Sequence, residues 1–471
     1  MRVDSEPPDP FDVKIGVQKE LDAMEASESG TGPAVPHDTP EPAVPREVHV
    51  GIAAFACPPG AHTETYVRNL ATALAQLGHR VDVISGPPYP ALDPKIRLIC
   101  LPSMGAHGPR PSLRQRMTTT SATEWAVNLT GGHGAPAAFG KRLRGYLVSS
   151  GESYDVIHDI DCLAPALADL HVPVVSTIQD PIQLARDRAL LESRGTFERL
   201  RIKRRFSYLK KHARTAQGVA HVITGTEQTR RDLASILDIP SERISVIHRG
   251  VDPAFRPVRE AVVDNRLVTR FDGFDPEAMR TVLTAFAALK ARLPNVMLSI
   301  VGGSRELRGA VALARELDLR DRIHTVENPS AQQLRSLLAS SRLMVVGSSY
   351  DGVGASAAEA MACRCPVVSP EGGAVPEVIG NAGILVPPSA PEALARAIRR
   401  VMTDDKLRDE LADRGLRRMA DLNWHNAAES VADVYRGAVR DARFKAAKST
   451  LRSQPRPTKT RTKSSGNTMA T

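Results

Sequence analysis

Residues 343–380 read LMVVGSSYDGVGASAAEAMACRCPVVSPEGGAVPEVIG, and the order of their parts decides the fold. An apolar run, Leu343 to Val346, gives way to a loop rich in glycine and serine, Ser348 to Gly354. The loop enters a helix-forming stretch, Ala355 to Cys363, and a second apolar run, Pro366-Val367-Val368, follows. Strand, turn, helix and buried strand in this order make one unit of a parallel sheet. In doubly wound sheets ligands sit beyond the C-terminal strand ends, where glycines allow close approach and a helix N-terminus offers free N–H groups. The first loop carries Asp351, Gly352 and Gly354. Glu359 stands eight residues after Asp351 on the helix, and the next loop runs Glu371-Gly372-Gly373-Ala374-Val375-Pro376-Glu377. A second turn of the same kind is Val301-Gly302-Gly303-Ser304.

The same alternation extends in both directions. Strand-like runs are Glu47 to Ala56, Arg80 to Ser85, Ile96 to Leu101, Asp155 to His158, Val172 to Ile178, Val219 to Thr224 and Arg243 to Ile247, with an amphipathic helix over Thr63 to Leu77. Residues 103–136 interrupt the series as a loop-like insertion with little periodicity. After Gly250-Val251-Asp252-Pro253 the rhythm pauses, and a second series opens: Val262 to Thr269, Met297 to Val301, Arg322 to Val326, Leu343 to Val346 and Pro366 to Ser369. The reading is α/β, two doubly wound Rossmann-like domains with a hinge near 252–262. The first spans 47–252 and the second 253–440, with a helix over Asn426 to Arg440 closing the ordered part. A length of 471 residues suits two such domains and tails.

The net charge of +9 suggests nucleic acid until it is divided along the chain. Residues 1–46 hold ten acids, four bases and eight prolines, and read as a disordered acidic leader; 441–471 read as a disordered basic tail, with seven bases and no acid from 445 on. These ends contribute −6 and +7, so the body keeps +8, and residues 186–214, with eleven Lys/Arg against three acids, account for that excess. The segment predicts one long basic helix: a solvated face, or a patch for an anionic membrane or an acidic acceptor. With 4% aromatic residues and no recognition motif, nucleic acid is not an expected partner. No apolar run approaches the roughly 20 residues of a membrane span, and the N-terminus lacks a signal peptide's basic start and apolar stretch. Five scattered cysteines, Cys57, Cys100, Cys162, Cys363 and Cys365, suit core thiols in a reducing cytoplasm, and Cys363-Arg364-Cys365 without a second pair makes a poor zinc site.

The run from Asp351 through Glu359-Ala360-Met361-Ala362, Pro366-Val367-Val368 and Gly372-Gly373 to Glu377 resembles the nucleotide-sugar domain of retaining GT-B glycosyltransferases of the group 1, or family 4, type. Gly78-His79-Arg80-Val81, Gly250-Val251-Asp252 and Arg266-Leu267-Val268 second it, and the resemblance covers roughly 47–440. It implies an N-terminal acceptor domain and a C-terminal donor domain facing each other across a cleft, and transfer of a sugar from a nucleotide-diphosphate sugar to an unknown acceptor, with retention and without a metal or cofactor. Carried over, Glu359 binds the ribose hydroxyls, Asp351 lies near the sugar and Arg266 meets the diphosphate. Backbone around Gly302, Gly352, Gly354, Gly372 and Gly373 lies against the donor, and His62, Glu64 and His158 stand on the acceptor side.

The chain also departs from the family pattern. Asp351 replaces a glutamate. The lysine expected six residues after Arg266 is Asp272, with Arg270 as the substitute cation. Ala61-His62 stands where a glycine pair is usual, and Ile160, Gln179 and Arg249 replace two histidines and an asparagine. These departures keep a different class open: a GT-B protein impaired in turnover that binds a nucleotide sugar or serves as scaffold for an active partner. Other enzymes on this architecture, such as sugar epimerases, also remain open. The implied location is cytoplasmic, with peripheral contact to the inner face of the membrane.

Overall fold

The alternation of strand and helix builds two parallel sheets. The structure is a computed structural model describing residues 46–453, apart from 59–60, 103–133, 162–166, 168–169, 180, 194, 208, 259–261, 272–274 and 347–352. The leader over 1–46, but for Arg46, and most of the 103–136 insertion therefore lie outside the described residues. In chain order the first domain runs β1 (His49–Ala54), α1 (His62–Gln76), β2 (Arg80–Ser85), β3 (Arg97–Cys100), α2 (Gly134–Ser149), β4 (Val156–Ile160) and β5 (Val174–Thr177). It continues with α3 (Ile182–Glu192), α4 (Thr196–Arg205), α5 (Leu209–Gly218), β6 (His221–Thr224), α6 (Glu227–Leu237) and β7 (Ile244–Val246). The second runs β8 (Val263–Phe271), α7 (Pro276–Leu289), β9 (Met297–Gly302), α8 (Ser304–Glu316), β10 (Ile323–Glu327), α9 (Ala331–Ala339) and β11 (Ser341–Val346). Then follow α10 (Ala355–Ala362), β12 (Val367–Pro370), α11 (Val375–Ile379), β13 (Ile384–Val386), α12 (Pro391–Thr403), α13 (Asp405–Asp421) and α14 (Trp424–Ser453).

The strand orders are β3-β2-β1-β4-β5-β6-β7 and β10-β9-β8-β11-β12-β13. Each sheet starts near its middle, extends to one edge and then reverses to the other. The reversal opens a crevice at the C-terminal ends of β1 and β4, and another at those of β8 and β11. β4 and β11, in the middle of the two sheets, are buried along their whole length, which is why β11 reads as an uninterrupted apolar run, Leu343 to Val346. Helices cover them with one apolar face each: Leu70 and Leu74 of α1, and Val282, Leu283 and Phe286 of α7, lie in the two cores.

Three expectations need correction. The domain boundary at 440 does not hold, because α14 crosses back to the first domain. Trp424, Ala428, Val431 and Tyr435 enter its core beside Tyr66, Leu70 and Leu74, and the Trp424 and Tyr66 rings meet edge to face at 5.5 Å. Burial of side chains of this size contributes about 1.5–3 kcal/mol each, enough to hold the crossover in place. The same helix runs on to Ser453, so the basic tail does not begin at 441. The long basic helix over 186–214 is three helices, α3, α4 and α5, broken around Ser193–Gly195 and Phe206–Ser207. Glycine at 195 and a non-helical Phe206 end what the charge pattern alone reads as continuous.

The chain passes between the domains twice, and the two passages touch. Val251 donates to the Leu422 carbonyl at 3.2 Å. A Cβ on Gly250 would stand 2.3 Å from the Trp424 backbone nitrogen, so only glycine permits this approach.

Candidate active site

The crevice of the second sheet lies at the C-terminal ends of β8, β9 and β11, beside Val353 and Gly354 at the entry to α10. Arg270, the penultimate residue of β8, pairs in register with Val346, the last of β11. Glu359 projects from α10 to the same place, and its Oε2 accepts from Arg270 Nη1 at 2.7 Å. Both side chains are largely enclosed, 16% and 11% exposed, so the pair is a charge-assisted hydrogen bond shielded from water. Gly354 turns the chain into α10 with φ +62, and a Cβ there would lie 2.7 Å from Val378 Cγ2. Backbone conformation and space thus both demand glycine. Asp351, Gly352 and Asp272 lie outside the described residues.

The neighbouring turns follow the same logic. Gly302 ends β9 ahead of α8, and a Cβ on it would meet Glu306 Cβ at 3.2 Å and the Phe271 carbonyl at 3.3 Å. Gly373 takes φ +53 in the turn from β12 to α11, where Gly372 accepts from Val375 N. These turns present backbone, not side chains, to the mouth of the sheet. Glu359 also acts on the thiol behind it: burial first, then this carboxylate, pushes Cys363 up to about 12, which makes it a core thiol. Among the described residues no three His, Cys, Asp or Glu side chains lie together as a metal would require.

Arg266 does not belong with this group. It sits four residues before Arg270, about 13 Å back along the strand, where Nη1 donates to Ser340 Oγ at 3.0 Å. The cation at the strand's mouth is Arg270, and counting from it places Pro276, not Asp272, six residues on. The arginine-first reading fails because it follows the Arg-Leu-Val triplet, whereas the ligand end of a parallel strand is its last residues.

On the first sheet, His62 opens α1 at the strand mouth, with Glu64 one turn in. Glu64 is buried and paired with Arg68 at 3.1 Å, and Arg68 reaches Asp252 at 2.7 Å, so the expected acceptor-side carboxylate is enclosed in a chain of charges leading to the domain junction. His158 is a correction: it is fully buried in mid-sheet. Its Nδ1 lies 2.6 Å from Tyr435 Oη and its Nε2 2.7 Å from Thr177 Oγ1, which in turn meets Tyr66 Oη at 3.0 Å. Burial pushes this imidazole down to about 3, so it stays neutral and ties α14 to the sheet.

Between the domains, Glu359, Val353 and Ala355 face His248, Arg249 and Gly250 around a cavity of about 20 Å³. Arg249 is a site residue that sequence reasoning missed. Its position directly before Gly250-Val251-Asp252, three residues past the end of β7, was the available signal, and it puts a second arginine at the cleft.

Residues 277–418 match the family described as glycosyl transferases group 1, and residues 63–255 match glycosyltransferase family 4. The chain is 31% identical over 390 residues to the MMP alpha-(1->4)-mannosyltransferase of Mycolicibacterium hassiacum, covering 79% of this chain and 94% of that protein. Among solved structures, sucrose-phosphate synthase from Thermosynechococcus elongatus superposes with a TM-score of 0.64 at 22% identity, over 83% of this chain and 99% of that one. Anabaena HepE in complex with UDP and glucose gives 0.59 at 16% identity, over 82% and 99%. The last two likenesses bear on the fold alone.

Proposed function

The chain belongs to the group 1 glycosyltransferases, and from that premise we propose that it transfers a hexosyl unit from a nucleotide-diphosphate sugar to a hydroxyl acceptor, with retention and without a metal. The observation that carries the donor assignment is the Arg270–Glu359 pair at the switch point of the second sheet. A carboxylate with two acceptor oxygens suits the vicinal diol of a ribose, and a guanidinium suits diphosphate oxygens. Donor binding separates the pair: Glu359 turns to the sugar of the nucleoside and Arg270 to the diphosphate, each exchanging one charged partner for another. Breaking the bond from the sugar's anomeric carbon to the diphosphate leaves negative charge on the leaving oxygens. Fixed donors aimed at those oxygens lower the barrier, and the loss of one such donor typically costs about 2.7–4 kcal/mol. Arg270, Arg249 across the cleft, the N-terminus of α10 and the amides around Gly372 and Gly373 are the groups that would meet it. Retention rests on the family resemblance, and the hexosyl donor on the mannosyltransferase relative.

The exposed face of α3 and α4 supports peripheral association with an anionic membrane surface. Among the described side chains of α4 none is buried. Phe197 and Leu200 are 80% and 61% exposed beside Arg199, Arg201, Lys203, Arg204 and Arg205, and Leu191 of α3 is 85% exposed. Apolar side chains within a basic field suit the headgroup region of such a surface. No helix among the described residues is long and apolar enough to cross a membrane.

The test of the donor assignment is release of nucleoside diphosphate from GDP-mannose, UDP-glucose and ADP-glucose. Release from at least one, slowed in Glu359→Ala, is expected. No release from and no binding of any of the three removes the proposal.

A further inference from the structure

A carboxylate of the second domain caps a helix of the first. Glu377, on α11 just past the Gly372-Gly373 turn, accepts from the backbone N–H of Glu227 at 2.7 Å and of Gln228 at 2.8 Å. These are the first two residues of α6, and the third, Thr229, donates to the side chain of the cap residue Thr226. Of the free N–H groups that open a helix, two are therefore satisfied from the opposite domain, by a negative charge placed at the positive end of the helix dipole. The carboxylate is held from behind: Arg418 of α13 donates through Nε to the Val378 carbonyl at 2.6 Å and through Nη2 to that of Glu377. Gly380, at φ +56, leaves room for the Arg418 guanidinium, which a Cβ would approach to 3.2 Å. Beside this contact Gly225, which leads into α6, lies against Val353, which leads into α10. The contact thus joins the turn into α6 to the glycine turn ahead of the donor-side helix, far in sequence from the paired passages at Gly250 and Leu422.

We propose that Glu377 is a positioning residue: its carboxylate on the α6 N-terminus latches the donor turns to the first domain and holds the cleft closed in the arrangement that brings the two substrates together. This rests on the donor assignment above for its effect on catalysis, but not for its effect on shape. Most of the groups that would hold the nucleoside diphosphate, Arg270, Glu359 and the turn at Gly372 and Gly373, belong to the second domain, and Arg249 reaches them from the first. Releasing the latch therefore largely spares nucleotide affinity, at the expense of the Arg249 contact alone, and lowers turnover. Losing two hydrogen bonds to a charged acceptor corresponds to a fall in kcat of about 10- to 100-fold, since water replaces them in the opened form.

The experiment uses the full chain with Glu377→Ala, Glu377→Gln, Glu227→Pro and the double variant Glu227→Pro/Glu377→Ala. Proline is tolerated at the first helical position and Thr226 before it is extended, so Glu227→Pro removes one N–H donor with the helix intact, and Glu227→Ala controls for the lost side chain. Small-angle X-ray scattering reads closure without reference to catalysis. Expected are a larger radius of gyration in Glu377→Ala, intermediate values in Glu377→Gln and Glu227→Pro, and a double variant no more open than Glu377→Ala. Kinetics should show the fall in kcat with nucleoside diphosphate Kd changed less than about threefold, at an unchanged melting temperature. Scattering identical to wild type in Glu377→Ala, or independent addition of the two changes, overturns the latch. Opened scattering with no turnover in any protein, wild type included, leaves the latch standing and removes the donor assignment instead.

Discussion

Replacing Glu359 by alanine sets two opposing terms against each other, and the structure says which wins. The lost carboxylate takes with it the acceptor for the ribose hydroxyls, a hydrogen bond to a charged group worth about 1.5–3 kcal/mol, or 10- to 150-fold in affinity. In the unliganded protein, however, that carboxylate already holds Arg270 at 2.7 Å in a site where the two side chains are only 11% and 16% exposed. In the variant Arg270 no longer has this carboxylate to leave before it meets the diphosphate, which returns part of the same kind of energy. The net loss should sit at the low end, about tenfold, for a nucleoside diphosphate titrated into the protein by calorimetry. The 2′-deoxy nucleotide should lose a similar factor on wild type and little more on Glu359→Ala. Arg270→Ala is the worse single change, about 100-fold, because it removes the guanidinium that meets the diphosphate and leaves the Glu359 carboxylate facing it without that guanidinium. The double variant should then bind better than Arg270→Ala alone. Additive single effects, agreeing within about 0.5 kcal/mol, would show that the two groups do not share a ligand. An unchanged affinity in a folded Glu359→Ala would refute the reasoning outright.

Further expectations follow from burial and charge. His158 is held neutral by burial, at about 3 against an ordinary 6.5, and burial is the first cause that lowers His79, His212 and His221 as well. Folded values below the unfolded ones mean full stability above pH 6.5 and loss as pH falls toward 3, about 1.4 kcal/mol per pH unit for His158 alone. The urea midpoint between pH 7 and 4 should show that slope, and His158→Gln should flatten it by about one proton. Gly354→Ala forces a side chain into positive φ and onto Val378, and should cost about 1–3 kcal/mol in urea unfolding; a neutral result would mean the turn relaxes freely. Neutralising Arg204, Arg205, Lys210 and Lys211 should abolish co-sedimentation with anionic vesicles, as should high salt, which screens exposed charges beyond about 10 Å at 0.1 M. Sedimentation that persists in both cases would separate the basic helices from the membrane.

What the sequence could tell was set by how local each feature is. Runs such as Arg80 to Ser85 and Leu343 to Val346 reveal their strands because a sheet buried on both faces requires uninterrupted apolar residues. Ile384–Val386, three residues at the edge of the second sheet, has no counterpart among the strand-like runs read from the sequence. The amphipathic stretch over Asn426 to Arg440 is plain in the sequence, but a helix's apolar face does not name the surface it covers, so its return to the first domain was invisible. His158, which the resemblance puts on the acceptor side, is instead buried and bonded to Tyr435, 277 residues later. Glu359 was readable from the family resemblance and the glycine turns from their local backbone demand; the Arg270 contact and the Glu377 latch depend on residues 89 and 150 positions apart and needed coordinates.

The central claim, transfer from a nucleotide-diphosphate sugar at the second sheet's crevice, is met most directly by proton NMR of donor turnover. GDP-mannose, UDP-glucose and ADP-glucose are incubated with the protein, with water as the fallback acceptor. The account predicts that the anomeric signal of at least one α-linked donor decays while an α-configured product appears first, and that Glu359→Ala and Arg270→Ala slow the decay. A β-configured first product would contradict retention, and an undiminished donor signal in all three would contradict the transfer itself.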